Sequence, residues 1–138
     1  MNRKIGTVAL VIAITAWCFS VVSLVRLQAT KNIQVQYVMY LGTNGKDSNQ
    51  PVCTPDEAKI TAANILADHF GGYTIQEANG GWKDNGKLYQ EYTLVIYLSD
   101  TTLEAIHAAA DELLAAFDQS SILIHANTTK TEFYSGKK

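Results

Sequence analysis

From Ile33 to Leu41 the apolar residues Ile33, Val35, Tyr37, Met39 and Leu41 alternate with Gln34, Gln36, Val38 and Tyr40. A strict period of two predicts a strand with one buried face. The segment GTNGKDSNQPVC that follows is a loop by composition. Thr54, Pro55 and Glu57 then supply an N-cap, a proline at the first helical position and a glutamate to close a capping box. They predict a helix from Pro55 to about His69 that buries Ala58, Ala62, Ile65, Leu66 and Phe70 and stops at Gly71 and Gly72. A second strand starts at Tyr73. Asn85-Gly86, the pair that most readily takes positive φ, turns the chain back into Lys87–Leu98 (KLYQEYTLVIYL). Thr101 and Glu104 repeat the capping-box spacing ahead of a helix carrying Leu103, Ile106, Ala110, Leu113, Leu114 and Phe117 at helical period. Ile122–Ala126 (ILIHA) forms a last strand, which the tail from Asn127 extends.

The order β-α-β-β-α-β predicts an α+β, ferredoxin-like fold, with two helices on one face of a four-stranded antiparallel sheet. With Asn85 and Gly86 at the turn, Trp82 faces Tyr89 and Gly80 faces Glu91, and Tyr73 and Ile75 share the core face with Tyr92, Leu94, Ile96 and Leu98. A bulge at Gly80-Gly81 would alter this count above it. The uncovered face is then lined by Tyr40, Trp82, Tyr89, Glu91, Tyr97 and His125. Such aromatics either pair across strands or form a binding or dimer surface. Gly80 leaves space beside Glu91 for a ligand or another backbone.

Ahead of this domain, Ile5 to Val25 (IGTVALVIAITAWCFSVVSLV) contains no charge. At about 1.5 Å per residue it reaches roughly 30 Å, the thickness of a bilayer's hydrocarbon core. A cleaved signal peptide is the competing reading, but its apolar core is about 7 to 15 residues and ends in a small-x-small site. The run here leads into Val25, Arg26, Leu27, Gln28 and Ala29, which offers none. Arg3, Lys4 and the terminal amine before the span, against Arg26 and Lys31 after it, favour by a slim majority a cytoplasmic N-terminus and an extracytoplasmic C-terminal domain in the cell membrane. The expected division is residues 1–26 as N-terminus and anchor, 27–32 as tether, 33–134 as the domain and 135–138 as a disordered tail.

The chain has 138 residues, 47% of them hydrophobic and 17% charged, which suits one domain. After Arg26 there are eight lysines against thirteen acidic residues, a net charge of −5. An acidic domain gains nothing from counterion release, so nucleic acid is not an expected partner. The only cysteines are Cys18, in the apolar run, and Cys53, too few for a disulfide framework or a cysteine metal site.

His69, His107 and His125 are the only imidazoles, and no two share a metal-ligand spacing on one helix, so no metal and no cofactor is expected. His69 suits the C-terminal end of the first helix dipole, and His107 suits a boundary position. His125 is the one histidine placed to approach Glu91, and together they are the candidate general acid and base. Glu77 turns inward beside Leu94, where an unpaired carboxylate is costly, so it should reach the sheet edge or Lys83. No GxSxG, P-loop, Rossmann or HExxH motif occurs.

Tyr40-Leu41-Gly42, Phe70-Gly71-Gly72-Tyr73-Thr74, Glu77-Ala78-Asn79-Gly80, Trp82 and Glu91 together resemble an uncharacterised bacterial family of small secreted or envelope domains of unknown function. The similarity spans about residues 36 to 98 and implies a ferredoxin-like fold and an envelope location, with no reaction, cofactor or catalytic residue attached. The expectation is therefore a membrane-anchored domain that binds an envelope protein or a second copy of itself through the open sheet face and is not an enzyme. The alternative is a small envelope enzyme using Glu91 and His125.

Overall fold

The computed structural model describes residues 33–136, and Gln34–Thr129 form one compact unit within them. The expected membrane-spanning run Ile5–Val25 and the tether after it lie outside the described residues, as do the last two residues of the expected tail. Among the described residues no helix is long and apolar enough to cross a membrane.

Six elements follow in the order expected. Strand β1 is Ile33–Gly42, helix α1 is Pro55–His69, β2 is Thr74–Asp84, β3 is Lys87–Leu98, α2 is Leu103–Ala116 and β4 is Leu123–Lys130. The sheet order is β2-β3-β1-β4, so the hairpin formed by β2 and β3 lies on one side of β1 and the last strand on the other. Both β2 and β1 run antiparallel to β3. This is the ferredoxin-like arrangement.

Each start signal has a visible cause. The Thr54 hydroxyl accepts from the Glu57 N–H at 3.3 Å, and the Glu57 carboxylate accepts from the Thr54 N–H at 2.9 Å, which closes the capping box and satisfies two donors at the start of α1. Helix α2 begins one residue later than the Thr101/Glu104 spacing predicts. Thr102 is the N-cap and accepts from the Ala105 N–H at 3.3 Å, two residues after Asp100 takes a left-handed φ of 58°. Helix α1 ends without a left-handed glycine. Phe70 is extended (φ −132°) and its N–H donates to the Leu66 carbonyl, so Gly71 and Gly72 are connector rather than cap.

One sheet face and both helices enclose the core: Tyr37, Met39 and Leu41 from β1, Leu94, Ile96 and Leu98 from β3, Ala58, Ala62 and Leu66 from α1, and Ile106, Ala110, Leu113 and Phe117 from α2. Ile75, Tyr92, Ile122 and Ile124 pack against its margin. Tyr73 precedes β2 and stays 37% exposed, so it contributes less to the core than the alternation suggested.

Across the helices, the His69 Nε2 and a Glu112 carboxylate oxygen are 2.8 Å apart. The side chain thus ties α1 to α2 instead of only facing its own helix end. Glu77 does turn toward the helix side, but its partner is Lys59 of α1, at 3.1 Å, and not Lys83. Lys59 also meets Asp56 at 3.1 Å.

The candidate site on the open sheet face

The hairpin register is unbulged. Trp82 pairs with Tyr89, Gly80 with Glu91, Ala78 with Thr93, Gln76 with Val95 and Thr74 with Tyr97. On the other side of β3, Tyr97 pairs with Val38, Val95 with Tyr40 and Thr93 with Gly42. Alternation puts all of these side chains on the face opposite the helices.

The rows across the sheet therefore differ in bulk. At the hairpin end Trp82 stacks on Tyr89, with centroids 5.4 Å apart and planes at 13°, and the Lys87 ammonium lies 4.8 Å from the Tyr89 centroid. Toward the middle of the sheet, Tyr40 meets the His125 ring edge-on at 5.2 Å, and the Tyr97 hydroxyl donates to Gln76 at 3.1 Å. Val38 and Val95 are buried among these side chains. Between the two aromatic groups the positions are Ala78, Gly80, Thr93, Gly42 and Glu91. The sheet thus carries a hollow of small side chains with one carboxylate in it.

Gly42 makes room for that carboxylate, and Gly80 for the Thr93 hydroxyl next to it. A methyl group on Gly42 would overlap both Glu91 carboxylate oxygens. On the neighbouring strand, a methyl group on Gly80 would come within 2.5 Å of the Thr93 hydroxyl and 3.5 Å of the Glu91 side chain. One carboxylate oxygen of Glu91 accepts from the Asn44 N–H at 3.3 Å.

The loop after β1 supplies the far wall. Asn44 is buried, its side-chain N–H donates to the Gln90 carbonyl at 3.1 Å, and the neighbouring Thr43 hydroxyl donates to the Tyr92 carbonyl at 2.8 Å. These bonds continue the β1–β3 contact past the end of the strand, and a bridge between Asn44 and Pro51 folds the loop back. The loop is fastened to the end of α2 as well. The Lys46 N–H donates to the Asp118 carbonyl at 2.9 Å, the Lys46 ammonium meets the Asp118 carboxylate at 3.3 Å, and the Gln119 amide donates to the Asn44 carbonyl.

The result is a cleft of about 450 Å³ whose lining includes Tyr40, Gly42, Asn44, Lys46, Trp82 and Glu91. Small-molecule sites span roughly 300–1,000 Å³. Two polar atoms beside it are buried without a partner: the Asn44 side-chain oxygen and the Thr93 hydroxyl.

Of the six residues expected to line this face, Tyr40, Trp82 and Glu91 converge on the cleft, Tyr89 backs Trp82, and His125 and Tyr97 lie along the face beyond it. Glu91 and His125 hold different partners, the Asn44 N–H and the Tyr40 ring. Gly42 and Asn44 complete the lining, with Thr93 paired to Gly42 beside it, and none of the three was singled out for the site by sequence reasoning. The signal for Gly42 was present: it shares the parity of Tyr40 on β1 and so faces the same side. Among the described residues, no three His, Cys, Asp or Glu side chains gather as a metal site would require.

Away from the cleft, three carboxylates lie below their ordinary range. Glu57 is held down by the Thr54 N–H and hydroxyl, Glu77 by Lys59 first and the Tyr92 hydroxyl second, and Glu104 by its own backbone N–H and the Thr102 hydroxyl. Burial, then the Glu77 charge, pushes the Tyr92 phenol up. That hydroxyl is within electrostatic reach of Glu77 but outside good hydrogen-bond geometry, and it has no other partner.

A small ferredoxin-like α+β domain with a carboxylate-bearing cleft on its open face is thus the class that fold and site define. The chain belongs to the family described as "Protein of unknown function (DUF3574)", which matches residues 36–133. No curated protein matches it. Among solved structures, a phage SAM lyase in the apo state is similar at 17% identity and a TM-score of 0.50, over 75% of this chain and 94% of the lyase. CutA1 from Oryza sativa is similar at 15% identity and a TM-score of 0.49, over 74% of this chain and 86% of that one. For the periplasmic divalent cation tolerance protein CutA from Archaeoglobus fulgidus the values are 15% and 0.47, over 73% and 87%. At such identities the likeness to the lyase is one of fold.

Proposed function

We propose that this protein is a membrane-tethered, extracytoplasmic binding domain that engages an envelope protein or a second copy of itself through the open sheet face, without catalysing a reaction. One observation carries the reading: Tyr40, Trp82 and Glu91 line a single cleft on the face that neither helix covers. Aromatic side chains beside a hollow give contact area at low entropic cost, which is the composition of binding hot spots. The separate partners of Glu91 and His125 favour binding over acid–base chemistry. The tether rests on Ile5–Val25, whose uncharged length suits a bilayer, and on the cations before it.

Photo-cross-linking in intact cells tests the contact. A benzophenone side chain replacing Tyr97 on the open face should give a discrete adduct with the full-length chain. The same group replacing Ile60, which is 63% exposed on α1, should give none. Equal adducts from both positions, or none from Tyr97, would count against the open face as the contact surface.

A further inference from the structure

We infer that the cleft at Glu91 is a recognition site for an organic ammonium group, a primary amine on a short alkyl stem. The inference rests on the open-face binding reading and names the chemistry that face recognises.

The sign comes from Glu91. Its carboxylate is the acidic group lining the cleft, and among the described residues only the Asn44 N–H donates to it. Lys46, the cation in the lining, is already engaged by Asp118 at 3.3 Å. The chain after Arg26 carries a net charge of −5, which steers cations toward it and anions away.

Hydrogen-bonding capacity points the same way. Asn44 is a 94% buried residue of the cleft lining; its side-chain N–H is spent on the Gln90 carbonyl, and its side-chain oxygen is left without a donor. An ammonium group brings three donors and no acceptor. Glu91 and the Asn44 oxygen would take two of them, and Tyr40 and Trp82 line the same cleft, where aromatic rings attract a cation.

A divalent metal fits less well. Calcium takes six to eight oxygen ligands and magnesium a near-ideal octahedron, whereas one carboxylate and one amide oxygen converge here. The volume of about 450 Å³, with Tyr40 and Trp82 in the lining, leaves room for a short alkyl stem behind the ammonium group.

The test uses the full-length chain in detergent micelles, with the Trp82 indole N–H resonance as reporter and n-butylammonium chloride as probe. The indole of Trp17 is told apart by Trp17→Phe. Saturable shifts are expected with n-butylammonium and not with n-butanol or with sodium chloride at equal ionic strength. Glu91→Gln should weaken binding at least about tenfold, as for loss of a hydrogen bond to a charged group. Glu91→Asp, which keeps the charge, should bind between the two and guards against a folding defect in the amide variant. Equal shifts with butanol, no saturation, or unchanged affinity in Glu91→Gln overturns the inference. Failure of ammonium binding with the Tyr97 cross-link retained removes this inference alone. Loss of the cross-link with ammonium binding retained removes the protein-partner reading instead.

Discussion

The Glu91 carboxylate lies over the α-carbon of Gly42, so close that a methyl group there would occupy the space of both oxygens. Gly42 ends β1 and pairs with Thr93, so its backbone is fixed and relief has to come from Glu91. Gly42→Ala should therefore destabilise the domain by about 1–3 kcal/mol, the range for overpacking. It should also swing the carboxylate out of the cleft. Urea denaturation measures the first effect. A variant with wild-type midpoint would mean that Glu91 moves freely and that the cleft is not preorganised.

The hairpin turn supports a second prediction. Asn85 and Gly86 have φ of 47° and 83°, the left-handed pair that a two-residue turn between twisted strands demands. A side chain at Gly86 meets open space, so Gly86→Ala should cost only the backbone strain of that conformation, about 1–2 kcal/mol. Lengthening or slipping of the turn would shift Trp82 off Tyr89. Loss of that stack in the near-ultraviolet circular dichroism at unchanged stability would contradict this account.

That turn also explains which parts of the fold were legible in the sequence. Asn85-Gly86 sets the register of β2 on β3 locally, so the pairing of Trp82 with Tyr89 and of Gly80 with Glu91 followed from counting. The capping box at Thr54 and Glu57 is equally local. The register of β1 on β3 is set by packing across a helix and a strand, and no turn encodes it. For that reason the placement of Gly42 beneath Glu91, and of Asn44 beside it, could not be counted out. Glu77 shows the same limit: its inward direction followed from alternation, but its partner Lys59 lies on a separate element.

Linked titrations predict the shape of stability against pH. Glu57, Glu77 and Glu104 are lowered from the ordinary 4.5, so the folded state favours their charged forms. Their contribution is present above that value and is lost as pH falls through the lowered folded values. Tyr92 is raised from the ordinary 10.0 and Lys59 from 10.5, so theirs is present below those values and is lost as pH rises through the raised ones. Urea midpoints should decline on both sides, with Glu77→Gln flattening the acid limb and Tyr92→Phe the alkaline one. An acid limb unchanged in Glu77→Gln would show that the Lys59 contact contributes nothing in solution.

Cys53 reports on topology and on its own surroundings in one measurement. It is partly buried against the core, and burial first, then the Glu57 charge, raises its thiol pKa from the ordinary 9.0. The thiolate is the reactive form, so Cys53 should react with a maleimide more slowly than glutathione at neutral pH and speed up as pH rises. Glu57→Gln removes the neighbouring charge and should quicken the reaction at fixed pH. In a Cys18→Ser background, a membrane-impermeant maleimide applied to intact cells should label Cys53 if the domain lies outside the membrane. Labelling that requires permeabilisation would place the domain in the cytoplasm and end the extracytoplasmic reading. Labelling as fast as glutathione would instead show that the loop before α1 opens often enough to erase the effect of burial.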